Sequence, residues 1–458
     1  MKFFFTLFCF FIWTGVFSQD KTIEWLNKHT IPVKIPDSAE NKDVDDYKEF
    51  QKLIPILKDK KIVLLGEEDH VYASTFEAKV RLIKFLHKYL GFNVLAFETD
   101  LYTTGNAYRR FSISQDSREL KNSLYAFWGS VKSTEPLFEY IKSSQSTSSP
   151  LKFIGFDNQI IPRYAFADSI DAFLKRKGSH ILKYEYYNRF TEILKRSYRN
   201  PYLLTNKERL LLLNIIDDIL FESNINTSKI ENDMLLLRGL YNLKGHFLNV
   251  WLDMPTMYNA IGAPPPADSL YGFVGDRSSL GPLNRRDKDM ADNLVWLKDV
   301  LYKNEKIIVW GATAHTMYNY HQLEFDGYIT TEAFPFHSRF KYAAYFLNMG
   351  THLKKAYGNN IYNLGFTHLG GTVNYNRSGN TGQIGTLSIS PDSIESWLVK
   401  SKYKTGIIDF SKATALPILF TEKYTSNILG ESQAKGKLVN FFDGLFFIEK
   451  MHPLEFVK

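Results

Sequence analysis

Lys61-Ile62-Val63-Leu64-Leu65 is a short apolar run with β-branched residues, closed by Gly66, and it predicts a buried strand. From Thr75 to Leu90 the apolar positions Phe76, Val80, Ile83 and Leu86 recur near helical spacing, and Gly91 stops the helix. Asn93-Val94-Leu95-Ala96-Phe97 predicts a second strand, and 151–157 a third. Helices are expected between them at about 101–112 and 134–145, and the polar Ser143 to Pro150 is a surface turn. The alternation of strand and helix predicts an α/β fold with a mostly parallel central sheet flanked by helices.

Arg163 to about Leu252 keeps a helical rhythm, as in Ile181-x-x-Tyr184, Leu211-Leu212-x-x-Ile215-Ile216 and Leu236-Leu237-x-x-Leu240. Met254 to Leu283 is rich in Gly, Pro, Asp and Ser and is expected to be a long loop of the functional or disordered kind. Together, about 163–283 form a helical insertion in one α/β domain over 19–458, either covering the pocket or standing outside it as a bundle. A helix over Arg286 to Tyr302 and a strand over Glu305 to Trp310 resume the pattern. Beyond come a helix at 341–357, strands near 361–366, 370–375 and 383–388, and a closing strand at Leu445 to Glu449. Gln19 to Asp59 is a polar lead-in with a short helix near 45–57. Gly370-Gly371 and Gly379 to Gly382 are turns; without a P-loop or dinucleotide fingerprint, no phosphate cradle is expected.

Residues 1–18 are expected to be a signal peptide, with Lys2, an apolar stretch from Phe3 to Val16 and a small-residue exit at Ser18. The run is shorter than the roughly 20 apolar residues of a membrane span, so no stable anchor is expected after cleavage. The single cysteine, Cys9, lies inside it, which leaves the remainder without disulfides, thiolate chemistry or cysteine-bound zinc. Export without disulfides fits a secreted or periplasmic bacterial protein that relies on its core. The net charge of +7 includes Lys2, and no run of basic residues points to nucleic acid. A small-molecule substrate is the expected partner; oligomeric state is left open.

Chemistry collects where strands end. Glu67, Glu68, Asp69 and His70 follow the first strand, Glu98 closes the second and Asp157 the third. Open parallel sheets bind ligands outside the carboxyl ends of their strands. His70, amid three acids, is either a general base or a surface histidine in a charged loop. Glu67 and Glu98 would meet if their strands were neighbours, to orient a histidine, share a proton or hold a divalent ion; alternatively each caps the helix after it. Glu68 and Asp69 are assigned to such capping. No G-x-S-x-G elbow marks a serine nucleophile, and no H-E-x-x-H motif supports a metal, so no cofactor is expected.

Gly66-Glu67-x-x-His70, Gly91-Phe92 and Ala96-Phe97-Glu98 resemble the erythromycin esterase-like family. Phe153-Ile154-Gly155-Phe156-Asp157, Arg286-Asp287-x-x-Met290-Ala291-x-Asn293 and Ile307-Ile308-Val309-Trp310 leading to Ala314-His315 fit the same pattern, in the family's order. The resemblance implies a hydrolase in which His70 activates water for attack on an ester or lactone, with Glu67, Glu98 and His315 as its catalytic partners. It also singles out Lys79 and Arg286, with Asp157, as substrate-binding or charge-stabilising groups; a cation there would steady an oxyanion or pair with a glutamate. The family's W-x-H-N-x-H pattern keeps only its second histidine here, with Ala312 and Thr313 in the other places; Asp69 and Val71 also depart from it. These changes imply a pocket altered away from macrolides, and they keep open a binding protein of the same fold in envelope or polysaccharide assembly. Divalent-metal hydrolysis at the same cluster is a third reading. His321 and His337 match no motif and are expected at the surface.

Overall fold

The computed structural model describes residues 21–34, 47–159, 166–197, 204–223, 230–260, 280–325, 346–374, 384–411, 415–430 and 432–457. The expected signal peptide, the turn at Gly379 to Gly382 and His337 lie outside them. Twelve strands follow the chain: β1 (Ile31–Pro32), β2 (Ile62–Leu65), β3 (Val94–Asp100), β4 (Lys152–Asp157), β5 (Ile307–Trp310), β6 (Ile361–His368), β7 (Gly371–Asn374), β8 (Ile384–Leu387), β9 (Gly406–Asp409), β10 (Tyr424–Leu429), β11 (Ser432–Gly436) and β12 (Gly444–Ile448).

Eight of these form one sheet in the order β1-β9-β12-β6-β2-β5-β3-β4, and two hairpins, β7-β8 and β10-β11, stand apart. From β12 to β4 every pairing is parallel; β9 and β1 add an antiparallel edge. The α/β fold with its mostly parallel sheet is thus as the sequence predicts. One adjacency differs: β5 lies between β2 and β3, so the strands carrying Glu67 and Glu98 are not neighbours. Spacing along the chain cannot show this, because β5 arrives only after the long insertion.

Strand alternation divides the core into two layers. Ile62, Leu64, Val94, Ala96, Ile307 and Val309 face one cluster, and Val63, Leu65, Leu95, Phe97, Ile308 and Trp310 face the other. The first layer is roofed by helices Phe166–Lys177, Tyr187–Ser197, Asn206–Ser223 and Glu231–Ala260, so the insertion packs on the sheet. The second is covered by helices Ala73–Leu90 and Glu135–Ser144. Helix Glu231–Ala260 passes Pro255, and the helix expected from Arg286 begins at Leu280 and ends in a π turn, Leu297–Leu301. The expected loop therefore loses both its ends, and its middle, 261–279, lies outside the described residues. Buried Leu236, Leu240, Leu243 and Phe247 anchor the long helix by tertiary packing, which overrides local propensity.

Candidate active site

Leu65, Trp310, Phe97 and Gly155 are aligned across β2, β5, β3 and β4. The groups that follow them therefore leave the sheet along one edge. Gly66 is required there: a Cβ would lie 2.7 Å from Thr313 Oγ1 and 2.9 Å from Thr316 Oγ1. This close approach lets Glu67 N–H donate to Gly311 O and Thr313 N–H to Glu67 O, tying the turn after β2 to the turn after β5.

The first half of the site is built on Glu67. One oxygen meets His70 Nδ1 at 2.6 Å and accepts from Trp128 Nε1 at 3.0 Å; the other accepts from Lys79 Nζ at 2.7 Å. Glu67 and Lys79 are fully buried, while the His70 side chain keeps 17% of its surface open. Burial alone would raise the Glu67 pKa, but the Lys79 ammonium and His70 outweigh it and hold the carboxyl below its ordinary value. The ionised carboxylate takes the Nδ1–H of His70 and leaves Nε2 as the free basic atom. Lys79 also lies 4.4 Å from the centroid of Trp310, beneath the site.

Glu98, Asp157, Asp287, Arg286 and His315 make the second half. Arg286 forks onto Asp157 with bonds of 3.1 and 2.6 Å and reaches Glu98 Oε1 at 3.3 Å. Burial opposes the Asp157 charge, but the guanidinium wins and holds that carboxyl below the usual range. The other Glu98 oxygen accepts from the Ala312 N–H at 2.7 Å. His315 Nδ1 donates to Asp287 at 2.9 Å, and its Nε2 lies 3.2 Å from Arg286 Nη1 and 3.5 Å from Glu98 Oε1. Asp287 is fixed in turn by the Met349 N–H at 2.8 Å. Burial lowers the His315 pKa less than Asp287 and Glu98 raise it, so this imidazole takes a proton more readily than a free one.

Rings form the wall between the halves. Phe127 stacks on His70 at 4.9 Å and 12°, and Tyr125 continues the stack on Phe127 at 5.4 Å and 5°. Tyr125 Oη donates to Gln159, beside Asp157. Phe127→Ala removes the face that steadies His70, and kcat should fall about two- to tenfold with KM little changed, from a stack of about 0.5–1.5 kcal/mol. Steady-state kinetics check this.

Glu67, His70 and Lys79 thus meet in one cluster, and Glu98, Asp157, Arg286 and His315 in a second beside it. Lys79 is paired with Glu67 and closed off from solvent, whereas Arg286 keeps 17% of its side chain exposed. His321 belongs to neither cluster. Asp287 and Trp128 were not anticipated. Asp287 had a signal, its place directly after Arg286; Trp128 sits in an aromatic run without periodicity. Among the described residues no group of three His, Cys, Asp or Glu is arranged to hold a metal ion. No described helix is long and apolar enough to cross a membrane.

Glu68 is buried behind the site and accepts from Thr75 Oγ1 at 3.0 Å, in the first turn of helix Ala73–Leu90. Burial pushes its pKa from 4.5 up to about 7. A carboxyl whose folded value exceeds its unfolded one binds the proton more in the folded state, so stability falls as pH rises from 4.5 to about 7. Glu68→Gln keeps an acceptor for Thr75 and should be more stable than the parent by up to about 3 kcal/mol above that window. Below pH 4.5 the gain should vanish in urea unfolding at matched pH values.

A family model described as erythromycin esterase matches residues 266–451. "Putative hydrolase YbfO" of Bacillus subtilis is 28% identical over 294 residues, 64% of this chain and 62% of that protein. The match thus spans less than two thirds of YbfO. Erythromycin esterase type II of Escherichia coli is 24% identical over 373 residues, 76% of this chain and 77% of its own length. Among solved structures, a succinoglycan biosynthesis protein superposes with a TM-score of 0.69 at 16% identity, over 96% of this chain and 99% of the other. A histidine variant of an erythromycin esterase in its open conformation gives 0.61 at 15% identity, over 92% and 98%. These superpositions show a shared fold. The family-model match and the two relatives give this chain family-level similarity to the erythromycin esterase-like hydrolases.

Proposed function

We propose that this protein is a hydrolase that cleaves a carboxylic ester or lactone with water activated by His70. The observation that carries the reading is the 2.6 Å contact between His70 Nδ1 and a buried, ionised Glu67, which leaves Nε2 free as a base on a side chain 17% open to solvent. Nε2 takes a proton from water as the water oxygen bonds to the substrate carbonyl carbon. Arg286, and His315 in its protonated form, offset the oxyanion that develops. As the carbon–oxygen bond to the leaving group breaks, that oxygen takes a proton from His70 or His315. Products are an acid and an alcohol, and no acyl-enzyme is formed. Glu98 and Asp157 hold Arg286 in place, and Lys79 holds Glu67.

Ala312 and Thr313 stand where the related pattern has histidine and asparagine, and with them the pocket is altered from one suited to macrolides. Secretion or periplasmic location through residues 1–18 belongs to the same proposal, tested by finding the mature N-terminus at Gln19 in exported protein.

The test is hydrolysis of a panel of activated esters and lactones by protein stripped of divalent ions, beside His70→Ala and Glu98→Ala. Turnover by the parent and its collapse in both variants supports water attack at this cluster. Turnover only with an added divalent ion would move the reading to metal-dependent hydrolysis. No turnover in either condition would make the chain a binding protein of this fold.

A further inference from the structure

Tyr125, Phe127 and Trp128 lie on one short stretch, 123–129, that is tied down at both ends. At its start Ser123 O accepts from Thr99 Oγ1 at 3.0 Å, and Thr99 directly follows Glu98 on β3. Towards its end Trp128 O accepts from Thr134 Oγ1 at 2.6 Å. Gly129 packs so closely there that a Cβ would lie 2.3 Å from Lys121 O. Between these anchors the stretch touches both halves of the site. Trp128 donates to Glu67, and Phe127 stacks on His70. Tyr125 reaches the other way. Its hydroxyl donates to Gln159 Oε1 at 3.3 Å, and the Gln159 N–H donates to Asp157 Oδ1 at 3.2 Å. Its ring lies flat on Phe127, at 5.4 Å and 5°. Contacts therefore run without a break from His70 through Phe127, Tyr125 and Gln159 to Asp157, the carboxylate that holds Arg286.

We infer that Tyr125 is a positioning residue, which sets the span between the His70 base and the Arg286 side of the site, through Phe127 on its ring and Gln159 on its hydroxyl. Attack by water needs both sides at once, with Nε2 on the attacking oxygen and the guanidinium on the developing oxyanion, so their spacing enters the barrier directly. Burial, and then Asp157, hold the Tyr125 hydroxyl above its ordinary pKa against the pull of Arg286. It therefore stays a hydrogen-bond donor at working pH and contributes no proton transfer of its own. The inference rests on the hydrolase reading and adds to it the residue that couples the two halves.

The experiment uses the full chain with Tyr125→Phe, Gln159→Met and the double variant, assayed across pH on whichever activated ester the parent turns over fastest. Tyr125→Phe keeps the stack and removes the hydrogen bond. Its kcat should fall about two- to tenfold, the worth of one such bond, with KM changed by less than about twofold. Gln159→Met breaks the same bond from its other end, at a half-buried position, and serves wherever Tyr125→Phe costs stability. It should lose a similar factor, and the double variant should lose no more than either single one, because all three lack one bond. The limbs of the pH profile of kcat/KM should stay where the parent has them. Unchanged kcat in Tyr125→Phe and Gln159→Met, beside an inactive His70→Ala, overturns this assignment and leaves the hydrolase reading standing. A raised KM at constant kcat overturns it as well, because it marks a contact with substrate. Losses that multiply in the double variant mark two separate roles, and a shifted limb marks proton transfer by Tyr125; either result overturns it. A parent that turns over no ester of the panel overturns both readings.

Discussion

Replacing His70 with alanine should lower kcat/KM by about 10²–10⁴-fold, the usual contribution of a positioned general base. Stability should be nearly untouched. The ring is partly exposed, and its loss leaves Glu67 still bonded to Lys79 and Trp128, so no buried charge is stranded. Because the fold survives, exogenous imidazole should restore part of the rate, entering the space between Phe127 and Trp128. Glu98→Ala should also be slow, for a different reason. It frees the Ala312 N–H and takes a partner from Arg286, so imidazole should not rescue it. A His70→Ala enzyme within threefold of the parent, or rescue of both variants alike, would assign the chemistry elsewhere.

The central strands were legible because each is an apolar run buried on both faces and closed by a charged or small residue. Ile62–Leu65, Val94–Asp100, Lys152–Asp157 and Ile307–Trp310 all carry that signature. Their order was not legible. β5 reaches its place between β2 and β3 only after the whole insertion, and spacing along the chain carries no information about lateral order. β9, β10 and β11 went unseen for another reason. Gly406–Asp409 offers two isoleucines and Tyr424–Leu429 mixes polar with apolar, so neither rises above its surroundings. Their pairing is decided by tertiary contact.

At the site, the strand ends pointed to Glu67, His70, Glu98 and Asp157, and the family resemblance to Lys79, Arg286 and His315 on helices; Trp128 and Asp287 were singled out by neither. Glu67, Glu98 and Asp157 announce themselves where an apolar run stops. Trp128 touches Glu67 from a four-residue helix, Ala126–Gly129, about sixty positions away. Nothing in the local pattern of that helix points to the site. Glu68 and Asp69 do not cap the helix after them, against the expectation: helix Ala73–Leu90 has Tyr72 at its N-cap with no side-chain cap bond, while Glu68 accepts from the Thr75 hydroxyl and Asp69 from the His70 N–H.

Lys79→Met separates the two roles of the buried pair. In the parent, Glu67 has a folded pKa below its ordinary 4.5, so it contributes stability above that pH, and the contribution is lost as pH falls through the folded value. Without the ammonium, burial prevails and the folded value rises above 4.5, turning a stabilising group into a cost at neutral pH. Breaking one side of a buried pair costs about 3–5 kcal/mol, and urea unfolding at pH 7 should show a loss of that order. The gap should narrow on acidification. Protonation of Glu67 removes the stranded charge from the variant, while in the parent it leaves Lys79 buried and alone, where burial already lowers its pKa. Lys79→Met combined with Glu67→Leu replaces both charges by apolar groups and should recover most of the lost stability. Activity should not return, because His70 then has no carboxylate to orient Nδ1. A double variant as unstable as Lys79→Met would place the cost of the substitution in packing against Trp310 instead of in charge. A double variant that is stable and active would show that His70 needs no carboxylate at Glu67.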